Sequence, residues 1–246
     1  MGSGAEVSKQ AAKMVLTDDN FSTLVHAIEL GRDVYGKITA QIRYVMAGLF
    51  GVLLLMVLAS LFGVNDGNVL SPVQLLFVTF FIGIFPAIGI STDSSEPGIM
   101  DLPPRNTSET ILNRGTTPRW FTFGLVQALV GLAPFVFLAE LPVEVRQTLA
   151  FAIIAVSTIL MAVSLRRDVT PGWHGPYFPF FKWMGIPAVV TWLAIEWPLL
   201  QDLLKTTGLN GQQWASVLVL AFVPWIVIEA EKALRASRRG LKSGAK

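Results

Sequence analysis

The 246-residue chain contains no cysteine. That absence removes disulfide frameworks, thiolate metal sites and cysteine nucleophiles together. Charge is scarce too: Asp, Glu, Lys and Arg make up 15% of the residues, where a soluble domain carries about 25%. So little charge in so apolar a chain excludes intrinsic disorder. A net charge of +2 leaves no electrostatic footprint for nucleic acid, and no nucleic-acid partner is expected. What the chain has in abundance is apolar: 52% hydrophobic residues and a mean hydropathy of +0.57, gathered in long runs. The fold class is all-α, a polytopic membrane protein.

A helix needs about 20 apolar residues to cross the hydrocarbon core. Tyr44–Val64, Val69–Ile90, Trp120–Ala139 and Gln147–Leu165 contain no charged residue. Trp183–Leu200 contains only Glu196, and Gln212–Ile228 completes a set of six expected spans. None alternates apolar with polar residues, as barrel strands do. Six spans put both termini on one side. Of the 19 Lys and Arg, only Arg146 and Lys205 fall in the turns opposite the termini. By the positive-inside rule both ends are cytoplasmic, and a bacterial inner membrane is the expected location. The first twenty residues have neither the apolar core nor the cleavage site of a signal peptide.

Ahead of the first span, Asp18, Asp19 and Asn20 offer helix caps. Phe21, Leu24, Val25, Ile28, Ile38 and Ile42 recur at helical spacing. A long cytoplasmic stalk helix over 20–43 is therefore expected to run into the span, with Asp33 and Lys37 as an i,i+4 pair. Its apolar stripe calls for a partner, and His26 on it reads as a packed or solvated histidine. The expected organisation is 1–19 as a remnant domain, 20–43 as stalk, 44–232 as the six-helix bundle and 233–246 as a basic cytoplasmic tail.

Four phrases occur in a telling order: GAEVSKQAAKMVLTDDNF at 4–21, GRDVYGKITAQIRY at 31–44, SPVQLLFV at 71–78 and the stretch ending EPGIMDLPPR at 96–105. Together they resemble P-type cation-transporting ATPases of the calcium-pump-like branch. The first resembles the end of that family's phosphorylation domain, the second the stalk of its fifth membrane helix, and the last two its sixth helix and following loop. The resemblance implies that the chain corresponds to the fifth to tenth membrane helices. The family's DKTG phosphorylation motif, nucleotide domain and TGDGxND magnesium motif have no counterpart in these residues. Phosphoryl transfer needs acceptor, metal and nucleotide in place, so no ATP hydrolysis and no cofactor is expected of the chain alone.

The resemblance also says where a cation would be held. Members of that branch use Asn and Glu on the fifth helix and Asn, Thr and Asp on the sixth, oxygen donors of the kind hard cations require. Aligned on Arg43-Tyr44 and on Pro72–Leu76, these positions fall on Leu49, Val52, Thr79, Ile82 and Gly83. Thr79 alone could ligate, so no metal site is expected. Pro86 matches the proline that breaks the sixth helix.

Glu196 is the one carboxylate inside an expected span and the one candidate intramembrane polar site, read as interfacial or paired with another helix. Glu229 and Glu231 read as solvated. Ala47, Gly48 and Gly51, then Gly83 and Ala87, then Gly124 and Ala128, form small-residue faces for helix packing. The tryptophans read as interfacial anchors, and His174 as part of a headgroup-level turn. These features lead to a non-catalytic membrane protein acting as an accessory, structural or regulatory subunit of a larger assembly. Its expected partners are membrane lipids and other membrane-protein subunits packing on the bundle or stalk. The alternative is the C-terminal half of a split or truncated pump. An autonomous channel or carrier using Gln74, Thr79, Gln127, Thr191 and Glu196 is a third reading.

Overall fold

The computed structural model describes residues 2–96, 98–101, 103–104, 111, 116–168, 170–173 and 178–243, with the side chains of 178–179 and 238–243 left aside. His174, and with it much of the loop 171–181, lies outside them. The described residues are helical throughout, without a strand. After a short α1 (Glu6–Ala11) comes α2 (Phe21–Leu61), followed by one continuous span made of α3 (Pro72–Leu76), a π-helical turn and α4 (Gly83–Ser91). Then come α5 (Thr117–Phe137), α6 (Val143–Leu165), α7 (Phe178–Glu196), α8 (Pro198–Leu204) and α9 (Gly211–Ser243).

Asn20 starts α2 by accepting a hydrogen bond from the Ser22 amide, which satisfies one of the orphan donors of the first turn. At about 1.5 Å per residue the helix is about 60 Å long, roughly twice the hydrocarbon thickness. The excess is the stalk, and Lys37 reaches Asp33 at 2.8 Å along it. Further on, Ala40, Tyr44, Ala47, Gly51, Leu55 and Ala59 form the buried seam of α2. Gly124 of α5 meets this seam so closely that a Cβ there would stand 2.7 Å from the Gly51 nitrogen and 2.9 Å from the Ala47 oxygen. Gly48 does not take part: a Cβ at that position meets nothing within 4 Å, so the expected small-residue face is Ala47 and Gly51 without it.

Helix α6 is the centre of the bundle. It is buried on nearly every side from Thr148 to Leu165 and packs against α2, α4, α5, α7 and α9, as a helix apolar all round should.

Among the described residues four helices are long and apolar enough to cross a membrane: Phe21–Leu61, Pro72–Ser91, Thr117–Phe137 and Val143–Leu165. A fifth arises if Phe180–Glu196 and Pro198–Leu204, bent by 87°, are taken as one span. The described residues thus carry four to five candidate spans where six are expected, and the expected sixth run, Gln212–Ile228, lies on α9, part of which falls outside the described side chains.

The α2–α5 crossing should dominate stability. Gly124→Leu is expected to cost about 1–3 kcal/mol through overpacking, seen as a lower unfolding midpoint in detergent, while Gly48→Leu leaves the midpoint unchanged.

Candidate functional site: the broken second span and the polar ends of the bundle

The second span begins with a sequence-encoded start. Ser71 Oγ accepts from the Gln74 amide at 3.2 Å, Gln74 Oε1 accepts from the Ser71 amide at 3.0 Å, and Pro72 sits in the first turn. This is a capping box with proline where its missing N–H costs nothing. The helix then widens into a π-turn over Phe77–Ile82, a form that recurs at functional sites. Pro86 follows inside α4 and offers no N–H to the Ile82 carbonyl four residues back. Across the gap, the buried Tyr44 hydroxyl of α2 donates to the neighbouring Gly83 carbonyl at 3.2 Å.

Around this break the five family positions diverge. Ile82 is fully buried and Gly83 lies beside Tyr44, yet Leu49 is 50% exposed and Thr79 is exposed. Val52 is half-buried. Four of the five bring no side-chain oxygen, and Thr79 points away from the interior. Among the described residues no group of three or more His, Asp or Glu could hold a metal ion.

Several buried polar side chains are spent locally. Gln127 donates from Nε2 to Ser157 at 3.1 Å and to Thr158 at 2.9 Å, both on α6. Its Oε1 is buried without a hydrogen-bond partner and lies against Gly51, where a Cβ would come within 2.1 Å, so a larger residue at 51 requires the Gln127 amide to shift. Gln74, besides its cap, donates to the Lys205 carbonyl at 3.4 Å, and Thr191 donates to Pro187 of its own helix. Glu196 accepts from the Trp214 indole of α9 at 2.9 Å. Beside it, Pro198 leaves the Ala194 carbonyl without its helical donor, and the Thr206 hydroxyl supplies one.

At the stalk end the charges gather, and here the expectation that Glu229 is solvated fails. Glu229 accepts from Ser164, from the Gly172 amide and from Lys232, and its side chain is 9% exposed. Glu231 is half-buried and pairs with Arg235 at 2.8 Å and Arg119 at 3.6 Å. Packing of α9 on α6 took Glu229 out of solvent. Asp93 receives Arg166 at 3.1 Å and Arg167 at 3.4 Å, while Phe180 lies 4.7 Å from the Arg166 guanidinium. Asp168 receives Arg43 at 3.1 Å and Arg235 at 3.4 Å. Burial pushes the Asp168 carboxyl up, but Arg43, Arg235 and Arg119 outweigh it and hold it below the usual carboxylate range. Sequence reasoning missed this cluster, although Arg166-Arg167-Asp168 ending an uncharged run was a visible signal.

The family profile described as cation transporting ATPase, C-terminus, matches residues 67–234, well over half of the chain. The chain belongs to this family. It is 28% identical to calcium-transporting ATPase 1 of Bacillus cereus, over 93% of its own length and 28% of that protein. With the calcium-transporting ATPase of Bacillus subtilis it shares 25% identity over 92% of its length and 26% of the relative. A probable calcium-transporting ATPase of Trypanosoma brucei brucei is 36% identical over 137 residues, 56% of this chain. The chain thus spans about a quarter of the length of the bacterial relatives, and as a member of the family it is their C-terminal membrane region.

Two outcomes check this geometry. Tyr44→Phe removes the donor to Gly83 and should cost about 1 kcal/mol, with faster amide exchange at 83–87 by mass spectrometry. Because the Asp168 carboxyl is depressed in the folded state, its contribution is complete above its ordinary value of about 4 and is lost as pH falls through the lower folded value. Wild type and Asp168→Asn should therefore differ in melting midpoint at pH 7 and converge in strong acid.

Proposed function

We propose that this chain is the C-terminal transport-domain portion of a cation-transporting P-type ATPase, working with phosphorylation and nucleotide-binding domains and further membrane helices. The observation that carries this reading is the second span: a helix with Pro86 inside it, widened by a π-turn and tied to α2 through Tyr44. A stalk continuous with a span and bonded to the break gives a path by which movement at its far end reaches the membrane interior.

Two exposed apolar stripes support a partner within the membrane. Val45, Leu49, Leu53 and Val57 lie along α2, and Val73, Leu76, Phe80 and Ile84 along the broken span. In this reading the missing helices pack on them. Orientation follows from charge: the basic residues Arg43, Arg119, Arg166, Arg167, Lys232 and Arg235 meet at the stalk end, which the positive-inside rule makes cytoplasmic.

A second reading, an accessory or structural subunit without pump activity, is favoured by one observation. Leu49, Val52, Ile82 and Gly83 contribute no oxygen ligands. Under either reading the chain alone hydrolyses no ATP, since acceptor, nucleotide and magnesium groups must all come from elsewhere.

Co-expression with a polypeptide carrying the DKTG motif, nucleotide domain and first four helices decides between them. The transport reading expects a stable complex with cation-stimulated ATP hydrolysis, absent from either part alone. A complex without hydrolysis supports the subunit reading, and no complex sinks both. Equilibrium dialysis of the isolated chain should show no stoichiometric calcium binding.

A further inference from the structure

A cavity of about 560 Å³ opens beside the charged cluster, between the stalk part of α2, the chain leaving α4 and the end of α6. Spaces of this size hold small ligands. Its wall sets Lys37, Arg43 and Arg167 against the apolar Ile28, Ile90 and Ile99. Four carboxylates, Asp33, Asp93, Glu96 and Asp168, line it with the five basic residues Arg32, Lys37, Arg43, Arg166 and Arg167, an excess of one positive charge, and Lys37 is paired with Asp33 at 2.8 Å. Asp93 serves both Arg166 and Arg167, and Asp168 serves both Arg43 and Arg235. The Arg167 side chain is 3% exposed, and its Nε is buried without a hydrogen-bond partner.

We propose that this cavity binds a phosphate group, with Arg43 and Arg167 as its principal donors. Guanidinium and phosphate match in geometry as well as charge. Arg43 pairs with Asp168 and donates to the Arg167 carbonyl, and the terminal nitrogens of Arg167 donate to Ser94; an anion here would give the buried Arg167 Nε the acceptor it lacks. The cavity lies where the stalk leaves the span, the depth at which basic pockets between helices take lipid headgroups. The apolar wall suits the glycerol and upper acyl carbons of an anionic lipid, while a soluble phosphomonoester presents the same head chemistry. This assignment does not depend on the pump reading.

Gly31 and Gly36 line the cavity, and a Cβ at either meets nothing within 4 Å. Gly36→Phe therefore fills the space while leaving the ion pairs in place. The chain is reconstituted in nanodiscs of phosphatidylcholine with phosphatidylglycerol, and lipid retained after detergent release is read by native mass spectrometry. Glycerol 3-phosphate and inorganic phosphate are titrated separately, and as competitors. Wild type should retain phosphatidylglycerol over phosphatidylcholine, and both Gly36→Phe and Arg167→Gln should lower retention about tenfold or more, the scale of one charge-assisted contact. Gly48→Phe, the same change on the same helix away from the cavity, should retain lipid as wild type does. Binding of the soluble phosphates alone, sensitive to Gly36→Phe, supports the site with a soluble source. No phosphate compound bound in any arm, or retention unchanged in Gly36→Phe while the variant melts normally, overturns it.

Discussion

Hydrocarbon offers no hydrogen bonds, so a helix broken inside a membrane must draw its donors from the protein around it. This constraint organises the chain. Pro86 and Pro198 each lack the N–H that a carbonyl one turn earlier would accept. The second span stays helical through Pro86, with a π-turn before it and the Tyr44 hydroxyl of α2 on the Gly83 carbonyl. At Pro198 the chain bends by 87°, and Thr206 and Gln201 reach the Ala194 and Ile195 carbonyls. That bend is therefore held by tertiary contacts.

The two ends of the bundle solve different problems. Near the turn end, neutral amides and hydroxyls such as Gln74, Thr148 and Thr207 tie loops to helix starts. At the stalk end the ties are ionic and shared among α2, α5, α6 and α9. Buried ion pairs recover little net stability over apolar packing, because each charge was costly to remove from water. What they supply is mutual positioning: Asp93 and Asp168 are each held by two arginines, which ties the ends of several helices together. A carboxylate divided between two guanidiniums also leaves the cluster open to a further anion.

Between the ends, glycine at 51 and 124 brings α2 against α5, and the room left by Gly51 admits the Gln127 amide. Van der Waals contact and a neutral cluster around Gln127, Ser157 and Thr158 thus occupy the middle of the bundle.

The all-α membrane class, the helix start at Asn20, the 33–37 pair and the family itself were legible in the amino-acid order. Each rests on local chemistry: run length, cap geometry, charge spacing or a contiguous phrase. The bend at Pro198 was less legible, because an apolar run records transfer free energy and not the direction of the chain. Burial of Glu229, the exposure of Leu49 and Thr79, the partner of Glu196 and the arginine cluster were decided by tertiary structure alone. Those depend on which helix faces lie together, and residues such as Arg43, Asp168 and Arg235, far apart in sequence, meet only once α6 has been enclosed by its neighbours.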